Sequence, residues 1–321
     1  MRQLLSLGIV LFVSLTLSAQ QTLSPEEIAF NAVSAATNPA SCVAAAEDFI
    51  ASFPKSPKRP DAARLVSEKL SILRNPSIAI TLLQRAQAIF TSATEREQLK
   101  PAAFDVYLAA ERADEAFALG ADILSRKPYE FWVLVKLTNL GAHEAQNRSL
   151  KYADTSLRYA LRAIQLLERN ERESGVTDEA WSLQQAQLPS LHQQVALINL
   201  AEGNSSEARE HLRKAMALDQ QDASNVALLA RVLNSEYERR SSLVSNMPEG
   251  STRVGEQKQV DALLDEVVDT YSRAMGLATG KIQYQVLLQQ VIPDLTRLYR
   301  VRYQSTVGLK ELIEKYRVSQ Q

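Results

Sequence analysis

The chain has 321 residues, of which 45% are hydrophobic, and its formal net charge at pH 7 is −1. This near-neutral balance argues against a nucleic-acid binder that depends on electrostatic attraction, because such proteins carry a clear basic excess. Alanine and leucine are abundant, glycine and proline number only ten and eleven, and the composition therefore favours helices. The length allows one large domain or two of ordinary size.

The first twenty residues, MRQLLSLGIVLFVSLTLSAQ, have the features of a secretory signal peptide. Arg2 supplies a positive start, an uncharged apolar run extends from Leu4 to Leu17, and the small Ala19 follows. The run is shorter than the roughly 20 residues that a membrane-spanning helix needs. We interpret residues 1–19 as a signal peptide cleaved after Ala19, with an uncleaved anchor as the alternative. Cleavage predicts a periplasmic or secreted protein without a transmembrane segment.

The mature chain is predicted to consist of helices separated by short breaks. Ser24 suits an N-cap, Pro25 suits the first helical position, and Glu27 completes the capping-box pattern, so a helix should begin here. Turn-forming dipeptides mark the later breaks at Asn38-Pro39, Phe53-Pro54, Asn75-Pro76, Lys127-Pro128, Ser174-Gly175 and Gly203-Asn204.

The segment from Pro189 to Asp222 contains the clearest repeat pattern. Its second half places the small Ala208 and Ala215 seven residues apart, with Leu212 between them, and its first half has Val195-Ala196. This arrangement resembles the tetratricopeptide repeat, a unit of about 34 residues with Leu-Gly in the first helix and Ala-x3-Phe in the second. Here Leu212 takes the place of the aromatic residue.

Other segments resemble the same repeat. The matching residues are Ala45, Phe49 and Pro57 near the start, Tyr107, Ala116 and Pro128 in Glu97 to Glu130, Leu140-Gly141, Ala153, Leu157 and Ala160 in Leu134 to Leu167, and Val267, Tyr271 and Ala274 near the end. The stretch FPKSPKRPDAARL, with Lys55, Lys58 and Arg59, is similar to the linkers of exported bacterial cell-envelope tetratricopeptide proteins.

The predicted array covers residues 24–318 and has two interruptions. One is a loop near residues 171–177, and the other is the polar, turn-rich stretch 241–256, which we expect to be a mobile loop. Near residues 306–318, apolar residues on one helical face predict a capping helix that closes the end of the array.

The residue types that carry chemistry are sparse. None of the three histidines, His143, His192 and His211, has a second histidine or cysteine at metal-ligand spacing. The one cysteine, Cys42, is either a small buried side chain or a bridge to another protein. No nucleophile elbow or glycine-rich phosphate loop is present. We therefore expect no catalytic residue, no metal site and no cofactor.

The resemblance implies an all-α fold, a right-handed superhelix of antiparallel helix pairs, and a protein-interaction function. In that family the first helices line a concave groove. Carrying the register over residue by residue places Asp105, Thr138, Gln193, Leu197, Arg231 and Asn234 in that groove. Leu197 is either core or part of a contact patch.

The expected partner is a peptide or helix of another protein in the bacterial cell envelope, with this chain as scaffold or assembly factor. Two other functions stay open at this point. One is a helical envelope enzyme that acts on cell-wall polymer, and the other is a structural subunit that associates with itself.

Overall fold

The computed structural model describes residues 23–317, so the predicted signal peptide lies outside the described residues. Residues 23–317 form α-helices and one short 3-10 helix, with no strand among them. The all-α prediction is therefore confirmed. The chain divides into two compact units, with the boundary between Ala110 and Glu111. This boundary falls inside the predicted repeat from Glu97 to Glu130.

The first unit contains five helices: α1 (Pro25–Ala35), α2 (Pro39–Ser52), α3 (Arg59–Ser71), α4 (Pro76–Ile89) and α5 (Ala93–Ala109). The second unit contains α6 (Ala113–Arg126), α7 (Phe131–Gln146), α8 (Ala153–Glu168), α9 (Asp178–Gln185), α10 (Leu188–Glu202), α11 (Ser205–Leu218), α12 (Ala223–Ser245), α13 (Ser251–Ala278), the 3-10 helix Ile282–Tyr284, α14 (Gln285–Tyr303) and α15 (Leu309–Glu314).

Local capping signals account for where several helices begin. The Ser24 side chain caps α1, and the Glu27 carboxylate accepts a hydrogen bond from the Ser24 backbone, as the capping box requires. At the Asn-Pro breaks, the Asn38 side chain accepts a hydrogen bond at 2.9 Å from the backbone N–H three residues later, and the Asn75 side chain does the same at 3.1 Å. In both cases the proline that follows occupies the first turn, where it loses no helical hydrogen bond.

Packing within the first unit has the character of a repeat. Each of its helices packs against the next helix and, from α1 to α3, also against the next but one. Two ion pairs join corresponding helices of adjacent pairs: Glu47 of α2 to Arg85 of α4, and Arg59 of α3 to Glu95 of α5. The paired residues are 38 and 36 residues apart in the sequence, close to the length of one helix pair. The arrangement is thus a helical repeat.

In the second unit, α7, α8 and α10 pack on one another, and the chain from α10 to α14 packs in order. The residues of the repeat pattern in Pro189 to Asp222 lie in its core, because Ala208, Leu212 and Ala215 of α11 are completely buried. Ala208 belongs to a cluster that also contains Ala196 of α10 and Val226 of α12. Small side chains let these helices approach closely.

Overpacking this contact is expected to destabilise the second unit. In Ala208→Leu, three added carbons meet a site with no exposed surface, which costs about 1–3 kcal/mol of unfolding free energy. Ala217→Leu on the exposed side of α11 is the matched control, with a change within about 0.5 kcal/mol. Urea unfolding measures both, and equal midpoints for the two variants would show that Ala208 is not a packing contact.

The predicted loop at 241–256 is much shorter than expected. Helix α12 continues to Ser245, α13 begins at Ser251, and only residues 246–250 form a turn. The polar residues at the ends of these helices face solvent, while α12 and α13 stabilise each other through the most extensive contact in the unit. The other predicted interruption is present as a break at 169–177, and Pro189 lies in the first turn of a new helix.

The C-terminal helix α15 is shorter than predicted, and it packs on α13. Leu309, Leu312 and Ile313 cover the core cluster, and the Tyr316 hydroxyl donates to Asp269. Glycine at position 276 permits this close approach, because a side chain there would meet backbone atoms at 2.7 Å.

Cys42 is completely buried, which confirms its interpretation as a small buried side chain and leaves its sulfur out of reach of a partner cysteine. Among residues 23–317, no helix is long and apolar enough to cross a membrane.

Candidate protein-interaction site

The six predicted groove residues are distributed over both units. Asp105 lies half-buried on α5 of the first unit, and the other five lie on three helices of the second unit. Thr138 is on α7, Gln193 and Leu197 are on α10, and Arg231 and Asn234 are on α12. The residues on these three helices have different surroundings.

Thr138 does not fit the predicted role, because the structure buries it completely. Helix α7 packs against α6, α8 and α10, so a side chain that points between these helices has no contact with solvent. The Thr138 hydroxyl has no hydrogen-bond partner there. A partner protein cannot touch this residue in the folded state, and we remove it from the set.

Gln193 and Leu197 are both half-buried on α10, and Leu197 lines a shallow pocket. The pocket has a volume of about 400 Å³ and lies between α10, the end of α7 and the turn that follows α7. Its apolar lining includes Ala145, Leu150, Leu197 and Leu200, and Arg148 also lines it. Leu197 is therefore partly buried and partly exposed. It packs against neighbouring side chains and also presents surface to the pocket, so core and contact patch are not exclusive alternatives.

Arg231 and Asn234 belong to a row of polar side chains where α12 and α14 meet. We call this row the α12–α14 seam; it consists of Arg231, Asn234, Glu238, Gln290, Asp294 and Arg297. Arg231 Nη2 donates to Gln290 Oε1 at 2.7 Å, and Arg297 Nη2 donates to Glu238 Oε1 at 3.0 Å. Both pairs span 59 residues, and this constant offset means that α12 and α14 run parallel.

The charged groups of the seam are balanced and accessible. Arg297 also lies 3.6 Å from Asp294, and its ion pair with Glu238 has about half of each side chain exposed. Ion pairs this exposed contribute only about 0–1 kcal/mol each. A partner can therefore replace these contacts with its own at little energetic cost.

Two hydrogen-bonding atoms of the same region are buried without a partner. Asn234 Nδ2 donates to Glu238 Oε1 at 3.2 Å, which leaves Asn234 Oδ1 unpaired, and the Tyr271 hydroxyl of α13 is unpaired too. Leaving a buried polar group unpaired costs about 1–3 kcal/mol. Both atoms are enclosed beneath the seam, so this cost falls on the folded chain itself.

The charges of the seam act on Tyr271. Burial, first, and then the carboxylate of Asp294 raise the pKa of its hydroxyl to about 12, and Arg231 and Arg297 oppose this. The hydroxyl consequently keeps its proton throughout the physiological range and stays a hydrogen-bond donor. Tyr271 is one of the residues that match the repeat pattern near the end of the chain, and the structure buries it, but no sequence signal indicated that its hydroxyl would lack a partner.

The structure also brings together two histidines that lie 19 residues apart in the sequence. Nδ1 of His192 on α10 lies 2.9 Å from Nδ1 of His211 on α11. The predicted turn at Gly203-Asn204 was the signal that could have revealed this pair, because residues on either side of a helical hairpin turn face each other. Within residues 23–317, no three or more histidine, cysteine, aspartate or glutamate side chains converge as metal ligands would.

No family model matches the sequence, and no curated protein matches it.

Proposed function

We propose that this protein is a non-catalytic interaction scaffold that holds a peptide or helix of a partner protein at the α12–α14 seam. The proposal includes a right-handed superhelix of tetratricopeptide-like pairs and export to the periplasm or cell exterior. The support for the repeat type and for export is the sequence pattern: the recurring small-residue spacing and the charged, then apolar, first nineteen residues.

The observation that carries the proposal is the seam itself. Parallel helices present a row of exposed, weakly held charges there. A bound segment replaces the Arg231–Gln290 and Arg297–Glu238 contacts with contacts of its own. Two arginines and two carboxylates favour a partner segment of mixed charge over a strongly acidic or basic one.

The test begins with the mature chain, residues 20–321, as bait for capture of partners from the envelope of the native host. The affinity of a captured partner for Arg231→Ala and Arg297→Ala is expected to fall about tenfold relative to the parent, as for truncation at the centre of an interface. Arg64→Ala, which removes an exposed ion pair of the first unit, is the control and should bind as the parent does.

Two further variants place the contact more closely. Tyr271→Phe removes the unpaired, buried hydroxyl beneath the seam, so the chain should be as stable as the parent or more stable and should bind the partner with the parent's affinity. Gln193→Ala examines the face of α10. Unchanged affinity in both arginine variants would show that the partner does not use the seam, and loss in Gln193→Ala alone would move the site to α10.

A further inference from the structure

The His192–His211 pair connects the two helices of one hairpin in the second unit. Its Nδ1 atoms are 2.9 Å apart and its ring centroids are 5.1 Å apart. His192 is only 2% exposed, whereas His211 is half-buried and reaches solvent on one side. Helices α10 and α11 form one of the most extensive contacts of the unit, and the pair lies within it.

Two imidazole nitrogens at this distance share one proton, which one of them donates to the lone pair of the other. Glu168 at the end of α8 helps to decide which one, because its Oε1 lies 3.9 Å from Nε2 of His192. The carboxylate favours a proton on that Nε2, which leaves the Nδ1 of His192 as acceptor. His211 then carries its proton on Nδ1 and donates it across the hairpin.

We propose that the His192–His211 pair is a pH-dependent latch that closes the α10–α11 hairpin at neutral pH and releases it in mild acid. The first additional proton binds to Nε2 of His211, on its exposed side, and the Nδ1–H to Nδ1 hydrogen bond survives. The second proton must bind to Nδ1 of His192, which replaces the hydrogen bond with two N–H groups that face each other. Both rings are then cations, and the contact opens.

The charged groups around the pair come from two helices. Glu168 belongs to α8, and Glu210 and Lys214 belong to α11, where they form an ion pair of 2.7 Å. Among the described residues, neither α7, which packs on α10, nor α12, which packs on α11, contributes a charge that acts on either ring. Lys214 disfavours protonation of the rings, whereas Glu168 and Glu210 favour it. These charge effects oppose one another, so burial has the largest influence on the pKa of each ring.

Burial is the largest influence on both rings. It lowers the pKa of His192 to about 4, with further lowering by His211 and Lys214 and opposition from Glu210. It also lowers the pKa of His211, where Lys214 acts in the same direction and Glu210 and Glu168 oppose it. In the unfolded chain both rings titrate near pH 6.5. Below that pH the unfolded chain binds more protons, so stability present above about pH 6.5 is lost towards pH 4.

The experiment measures the latch in the mature chain between pH 7 and pH 5. For amides of α10 and α11, the ratio of closed to open hairpin from hydrogen exchange is expected to fall on the order of tenfold, after correction for intrinsic exchange rates. His211→Asn removes one of the two imidazoles and should lose the part of this pH dependence that His211 contributes, while the buried His192 keeps its own part. His143→Gln, at an exposed histidine of α7, is the control and should behave as the parent does.

Ring titrations by NMR on the unaltered chain supply a readout that does not depend on a variant that folds. The proposal predicts two coupled steps below pH 6.5, with the second step accompanied by chemical-shift changes in α10 and α11. Independent titration of His192 and His211 near pH 6.5 would overturn the latch. Equal loss of protection with acid in the parent and in His211→Asn would overturn it as well.

Discussion

Glu95→Ala is expected to destabilise the first unit by about 3–5 kcal/mol, the largest effect of any single change that we propose. The Glu95 carboxylate is 3% exposed and accepts two hydrogen bonds from Arg59, at 2.5 and 3.2 Å. Arg59 also donates to the carbonyls of Pro54 and Ile89. Without Glu95 the Arg59 guanidinium, only 15% exposed, stays in the structure without a counter-ion. Urea unfolding of the variant and the parent measures the loss.

Two other variants separate the charge from its surroundings. Glu95→Gln keeps an oxygen that can accept from the Ser92 backbone and so keeps the α5 cap, but it lacks the charge. We expect it to lose less stability than alanine does. Glu68→Ala removes a carboxylate whose ion pair with Arg64 is half exposed, and its cost should be below about 1 kcal/mol. Equal losses for Glu68→Ala and Glu95→Ala would contradict the importance of burial.

The Arg59–Glu95 ion pair makes the stability of the first unit depend on pH. Burial alone would raise the pKa of the Glu95 carboxyl, but hydrogen bonds from Arg59 and Ser92 outweigh burial and lower it. The folded chain therefore binds fewer protons than the unfolded chain below about pH 4.3, the ordinary value for glutamate. The stability from this pair is complete above that pH and is lost as the pH falls through the lowered value.

Gly141→Ala is expected to cost about 3 kcal/mol, although alanine is the better helix former by about 1 kcal/mol. An added Cβ at position 141 of α7 would lie 1.7 Å from Ser156 Oγ and 2.5 Å from Ser156 Cβ on α8. The hydroxyl can rotate away, but the Cβ of Ser156 cannot move without its backbone. Helices α7 and α8 must therefore separate, and the completely buried surface between them loses its packing.

Gly255→Ala is the matched control for this prediction. It introduces the same methyl group inside α13, where no atom lies within 4 Å of the new Cβ. We expect a gain of stability of up to about 1 kcal/mol from helix propensity alone. The two changes should therefore shift the denaturation midpoint in opposite directions. A gain of stability in both variants would show that α7 and α8 do not approach as closely as the structure indicates.

The starts of several helices follow from the sequence because their signals are local. Ser24, Asn38 and Asn75 each cap the third residue that follows, and this contact forms wherever the chain turns into a helix. The seven-residue spacing of Ala208 and Ala215 likewise identifies one face of α11, and the structure buries that face. Patterns within a few residues of one another were sufficient for these predictions.

The sequence predictions that were wrong concern residues whose contacts lie far away in the sequence. The polar ends of α12 and α13 have the composition of a loop, and only their packing against each other makes them helical. In the sequence, Arg59 lies in a proline-rich stretch that resembles a solvated linker, but the carboxylate with which it pairs, Glu95, is 36 residues away. Thr138 lies on a predicted binding face, yet α7 is surrounded by three helices.

The sequence by itself determined that this protein is helical, where several of its helices begin, and which small residues face their neighbours. Each of these properties depends on hydrogen bonds and side-chain spacing within one or two turns. The tertiary structure alone decided that Thr138 is buried, that Arg231 and Asn234 belong to a seam with α14, and that His192 meets His211. The physical reason is that burial and charge pairing depend on which helices pack together, and that choice is made by contacts between residues tens of positions apart.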